Sequence, residues 1–113
     1  MEKRQYQRVD NNFNVRVAKE IKEGYFQDIA IDIGKSVNIS GGGLLFTANE
    51  SIEKDSEIRV TFLKPNTFDF FEGKASVKRA DKNDDGSFII AVEFHDLNES
   101  EKDRLNYYIN LCK

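Results

Sequence analysis

Two arginines, Arg4 and Arg8, stand near the N-terminus with three residues between them, and about thirty residues further on comes Asn38-Ile39-Ser40-Gly41-Gly42-Gly43. A guanidinium donates paired, parallel hydrogen bonds to a phosphate or to the O6/N7 edge of guanine, and its plane stacks on a purine. The second segment puts short polar side chains beside a backbone that glycine lets another molecule approach closely. The Asn38 carbonyl oxygen can accept from guanine N1–H or N2–H, and Ser40 can bond a phosphate or brace its own loop. Taken together the two segments suit a compact ligand that is both anionic and purine-bearing.

Each segment has a plainer reading on its own. Arginine pairs at this spacing commonly lie on solvated helix faces, although no apolar stripe flanks this one. Ser-Gly-Gly-Gly is also a tight turn between strands. Three consecutive glycines nevertheless exceed what a two-residue hairpin loop needs.

The elements that must position these residues are mostly strands. Phe13, Val15 and Val17 alternate with polar neighbours, as do Ile29, Ile31 and Ile33, and Ile58, Val60 and Phe62. That period of two marks half-buried strands. Gly24 closes the first run after the charged Lys22-Glu23, and Leu44-Leu45-Phe46 follows the glycine loop. Lys64-Pro65-Asn66 ends a later run, a further strand is predicted from Phe70 to Val77, and another from Phe88 to Phe94 across Asp84-Asp85-Gly86. Six or seven short strands predict a small closed barrel or a sandwich. The last element differs in kind. Asn98 three positions before Glu101 is a capping box, and Leu105, Tyr108, Ile109 and Cys112 then form one apolar helical face.

Bulk composition narrows the function classes. A chain of 113 residues, 39% hydrophobic and 33% charged, fits one domain with its own core. No apolar run reaches the roughly 18 residues of a membrane span, and no apolar stretch follows the N-terminal charges as in a signal peptide. The single cysteine, Cys112, rules out an intrachain disulfide and cysteine-rich zinc sites, so the predicted compartment is the cytoplasm. A net charge of −3 and the want of a basic, aromatic-studded groove argue against DNA or RNA binding. Charge is local instead: residues 1–8 hold Lys3, Arg4 and Arg8 against Glu2 alone, whereas residues 81–103 are dominated by Asp and Glu.

Arg4 and Arg8 followed by Asn38, Ser40 and Gly43 resemble the PilZ domain, a bacterial receptor for cyclic di-GMP with the signature R-x-x-x-R and then [D/N]-x-S-x-x-G. Leu44-Leu45-Phe46 and the late Ile90-Ala91-Val92-Glu93-Phe94 are similar to the family too. The chain departs from it at Ala91, where glycine is usual, and at Lys3, often a further arginine at a position that influences how many ligand molecules are held. The resemblance implies a mainly β fold: a six-stranded antiparallel barrel over residues 13–95, a C-terminal helix over 98–112 and a flexible ligand-binding arm over 1–12. It implies cyclic di-GMP held by Lys3, Arg4, Arg8, Asn38, Ser40, Gly41, Gly42 and Gly43, with no further cofactor. It also implies a protein effector in motility, exopolysaccharide or regulatory machinery. The rival is a PilZ-like docking module that binds no nucleotide.

The remaining motifs read as structural. Asp81-Lys82-Asn83-Asp84-Asp85-Gly86 begins like a calcium-binding loop, but its closing acid falls one place late, at Glu93, and strands flank it; a hairpin turn is the better reading. His95 beside Asp96 reads as a surface residue, and Cys112 as core. Thr67-Phe68-Asp69-Phe70-Phe71 is core packing, with one or two rings available to a partner. No set of nucleophile, base and orienting group can be assembled, so no enzymatic activity and no metal site are predicted.

Overall fold

The computed structural model describes residues 7–9, 13–29, 38–64 and 66–111. They form eight strands and one helix: β1 (Gln7–Val9), β2 (Phe13–Lys22), β3 (Tyr25–Ile29), β4 (Asn38–Ile39), β5 (Gly43–Ala48), β6 (Glu57–Leu63), β7 (Phe70–Lys82), β8 (Phe88–His95) and α1 (Glu99–Leu111). The strands build one antiparallel sheet in the order β1-β2-β6-β7-β8-β5-β4. β3 shares the outer side of β2 with β1: Val9 faces Phe13 at one end, and Ile29 faces Val17 further along.

Alternation explains which face is dry. Phe13, Val15 and Val17 on β2, Val60 and Phe62 on β6, Phe71 and Val77 on β7, and Ile90 and Val92 on β8 all point into one cluster. Ile29, beside one margin of the sheet, and Ile39, at the other, belong to that same cluster, so the sheet curls around a single core. α1 closes one end. Leu105 and Tyr108 are buried, and the Tyr108 ring meets Phe13 edge-on at 4.9 Å while Phe62 stacks on Phe71 at 5.4 Å.

The mainly β antiparallel architecture with a C-terminal helix matches the sequence reading, with two corrections. Among the described residues there are eight strands rather than six, and no ladder joins the β4 margin to the β1 and β3 margin, so the barrel is not closed. The extra strands, β1 and β4, have three and two residues, too short for alternation to register. β7 also runs past the predicted end at Val77, on to Lys82, because its register slips between Val77 and Arg79 and the chain then resumes pairing with β8. Ile31, Ile33, Pro65 and Cys112 lie outside the described residues.

Both helix-end and hairpin signals hold. Asn98 Oδ1 accepts from the Glu101 amide at 2.8 Å, and Glu101 Oε1 accepts from the Asn98 amide at 2.9 Å. The acidic loop is a turn: Gly86 takes φ +91°, and Asp85 Oδ1 accepts from the Ser87 amide and hydroxyl at 2.9 and 2.6 Å. His95 lies between carboxylates, with Nε2 2.8 Å from Glu57 and Nδ1 2.9 Å from Asp96.

The aromatic segment divides. Phe71 is fully buried, Phe70 is 49% exposed, and Phe68 is 98% exposed. The loop carrying Phe68 is nonetheless tightly bonded. Thr67 Oγ1 donates to the Lys64 carbonyl and accepts from the Asp69 amide, and the Lys64 amide donates to the Asp69 carbonyl. From α1, the Tyr108 hydroxyl donates to the Asp69 carbonyl at 3.0 Å and Arg104 to the Phe70 carbonyl at 3.1 Å.

Candidate ligand site

Asn38 and Ile39 pair with Leu45 and Leu44, so the chain between them must reverse within four residues, 40–43. The Ser40 amide donates to the Gly43 carbonyl at 2.9 Å. Ser40 Oγ in turn accepts from the amides of Gly42 (3.3 Å) and Gly43 (3.2 Å). Of the two roles its chemistry allows, Ser40 takes that of a brace. The Gly42 carbonyl accepts from the Phe94 amide at 2.9 Å and ties the turn to β8.

The three glycines are not equivalent. A Cβ on Gly43 would lie 2.1 Å from the Val92 carbonyl oxygen and 3.3 Å from Glu93 Cα, so the neighbouring strand itself demands glycine there. Close approach was read from the sequence as approach of a ligand; at Gly43 the approaching group is the backbone of β8. At Gly41 a Cβ would meet nothing within 4 Å, and at Gly42 only Ser40 Oγ at 4.0 Å. Neither has the left-handed φ found at Gly24 and Gly86. The fold makes no demand for glycine at 41 or 42, and a side chain at 41 would enter open space.

Asn38, Ser40, Gly42 and Gly43 line one open depression of about 500 Å³, together with Leu45, Lys78 and Glu93. Four of the predicted residues therefore converge, and Gly41 belongs to the same turn. Of the arm, Lys3 and Arg4 lie outside the described residues. Arg8 stands on β1, opposite Asn14 on β2.

Sequence reading missed Lys78 and Glu93. Val77 pairs with Val92 and Arg79 with Ala91, which leaves Lys78 as the extra residue of a bulge. A bulge re-aims side chains, and here Lys78 and Arg79 are exposed in succession where alternation would bury one. Lys78 Nζ stands 3.2 Å from Glu93 Oε1. The signal was present: two adjacent cations, Lys78-Arg79, interrupt the run Phe71, Gly73, Ala75, Val77.

Other chemistry has less to build on. Among the described residues no group of three or more His, Cys, Asp or Glu side chains could hold a metal ion, and no helix is long and apolar enough to cross a membrane.

Comparison with known proteins bears on both fold and site. The solved structure of the Bacillus subtilis inhibitor of motility (MotI/DgrA) is similar over 97% of this chain and 51% of that one, with a TM-score of 0.60 at 18% identity. The chain thus spans about half the length of that protein, and the likeness is one of fold. No curated protein matches in sequence. The family model of the PilZ domain matches residues 2–111, a span that takes in Arg4 and Arg8, the turn after Asn38 and the helix α1. The chain belongs to the PilZ domain family.

Proposed function

We propose that this chain is a cyclic di-GMP receptor that acts as an adaptor, ordering its N-terminal segment over the bound ligand and signalling through a partner protein. The observation that carries the reading is the convergence of Asn38, Ser40, Gly42 and Gly43 on one open depression in a PilZ domain. Asn38 supplies an acceptor for a guanine edge, and the backbone of Gly41 and Gly42 leaves room for a flat base. Lys3, Arg4 and Arg8 supply the cations for two phosphates and the second guanine. Ordering each residue of backbone costs about 1–2 kcal/mol. Each charge-assisted hydrogen bond returns roughly 1.5–3 kcal/mol. Several must form together, so the segment closes only on a ligand that engages more than one arginine, and that closure is the signal.

A receptor for this intracellular messenger would work in the cytoplasm. The fold shared with an inhibitor of motility favours a motility component as effector over exopolysaccharide or other regulatory machinery. Titration calorimetry with cyclic di-GMP, then GMP, then a short oligonucleotide tests the reading. Saturable heat with the first alone supports it. No heat with any of the three at millimolar ligand leaves the docking module that binds no nucleotide, and heat with the oligonucleotide makes this a nucleic-acid binder.

A further inference from the structure

We propose that Lys78 is a ligand-contacting residue of the depression, and that Glu93 holds its ammonium group until a phosphate of the ligand takes the carboxylate's place. The inference rests on the receptor reading above and concerns how that site discriminates. Lys78 is the one cation, and Glu93 the one anion, among the described residues lining the depression that also holds Asn38 and Ser40. Their separation of 3.2 Å makes them an ion pair, so together they add no net charge to that wall.

Three observations set Lys78 apart from an ordinary surface lysine. It occupies the bulge of β7, where an extra residue is inserted opposite β8 and a side chain is directed out of the regular alternation. It lines the same depression as the predicted ligand residues. Its partner Glu93 faces both Gly43 and Ser76 across the ladder, which fixes the carboxylate beside the glycine turn. Both side chains are about half exposed, 49% for Lys78 and 60% for Glu93. A solvated pair of this kind is weak and easily exchanged.

A phosphodiester presents two anionic oxygens to the three N–H donors of an ammonium. It can therefore replace the Glu93 carboxylate on Nζ, but Glu93 remains close by as a like charge. Glu93 thus opposes binding twice, by occupying Lys78 and by repelling the incoming phosphate. A neutral purine nucleoside meets neither the help nor the hindrance. Lys78 and Glu93 together make the site respond to phosphate charge as well as to base shape.

Calorimetry of the full chain with cyclic di-GMP, at two salt concentrations, tests this. Lys78→Gln is expected to weaken binding about tenfold or more and to flatten its salt dependence. Lys78→Arg, which keeps the cation, is expected to bind within about threefold of wild type. Glu93→Gln is expected to tighten binding several-fold, with a smaller gain when Lys78→Gln is already present. A Lys78→Gln variant with wild-type affinity and salt slope overturns the proposal, as does a Glu93→Gln variant that binds no better. Thermal melts identify a variant that has merely unfolded, and Lys78→Arg and Glu93→Gln then carry the decision. If the wild-type chain itself gives no heat, the receptor reading fails and takes this proposal with it; binding that is indifferent to both residues sinks this proposal alone.

Discussion

Ser40 and Gly43 are joined in both directions across the β4–β5 turn: the Ser40 amide donates to the Gly43 carbonyl at 2.9 Å, with the Ser40 hydroxyl a longer donor to it at 3.5 Å, and the Gly43 amide donates to Ser40 Oγ at 3.2 Å. The bond from the Gly43 amide replaces a backbone acceptor with a side chain, so the turn's shape depends on one hydroxyl. Ser40→Ala should cost about 1 kcal/mol, the net worth of such a bond. It should lower the melting temperature by several degrees and weaken cyclic di-GMP binding, whereas Ser40→Thr should keep most of both. Thermal melts paired with calorimetry check this; an unchanged melt in Ser40→Ala would mean the hydroxyl braces nothing.

Gly43 and Gly41 should respond in opposite ways to the same substitution. Gly43→Ala drives a methyl group against the Val92 carbonyl, 2.1 Å away before relaxation, and should destabilise the protein by about 1–3 kcal/mol through overpacking. Gly41→Ala meets open space and should leave the melt unchanged while lowering ligand affinity. Denaturation midpoints with and without ligand separate the two effects. Equal melts for both variants would show that β8 yields freely.

Arg4→Ala and Arg8→Ala should each remove most cyclic di-GMP binding without shifting the melt of the unliganded protein. Each leaves a phosphate or a guanine edge without its paired donor. Removing one such charge-assisted pair is worth roughly 1.5–3 kcal/mol, about ten- to a hundredfold in affinity. Isothermal titration of both variants decides, and undiminished affinity in the two would detach the arginines from the site.

Tyr108 gives the fold an alkaline limit. Burial pushes its phenol above the usual 10.0, opposed in part by a backbone hydrogen bond from the Lys64 region. Lys64 is also raised above 10.5, chiefly by its 2.6 Å hydrogen bond to the Tyr107 hydroxyl. A raised folded-state value means the folded chain keeps its proton longer than the unfolded chain. Both contributions are therefore fully present below the unfolded value and are lost as pH rises through the folded one. Denaturant midpoints should hold steady up to about pH 9 and fall beyond about pH 10. In Tyr108→Phe the alkaline fall should be shallower, although the variant starts lower for want of its bond to Asp69. An equally steep fall would assign it to other groups.

Legibility from sequence followed the range of each interaction. The capping box of Asn98 and Glu101 and the turn at Gly86 are local, and both stand where the chain spelled them out. The runs from Phe13, Ile58, Phe70 and Phe88 fell on β2, β6, β7 and β8, whereas of Ile29, Ile31 and Ile33 only Ile29 lies in β3; the joint pattern of Arg4, Arg8, Asn38, Ser40 and Gly43 pointed to the family. What stayed hidden depended on residues distant along the chain. Gly43 is required by Val92, almost fifty positions later, and no local motif carries that information. The bulge that aims Lys78 exists only relative to the register of β8. Closure of the sheet turned on strands of two and three residues, below the length at which hydrophobic alternation is visible.

Phe68 stands in water on a loop whose backbone is already held by Thr67 and by Arg104 and Tyr108 of α1. Freedom that a slack loop would surrender on docking has here been given up at folding. A surface that covers this ring removes its whole apolar area from solvent, worth about 1.5–3 kcal/mol, with little left to freeze. Far along the sequence from the turn at Ser40–Gly43, Phe68 is an exposed ring whose loop is fixed at folding.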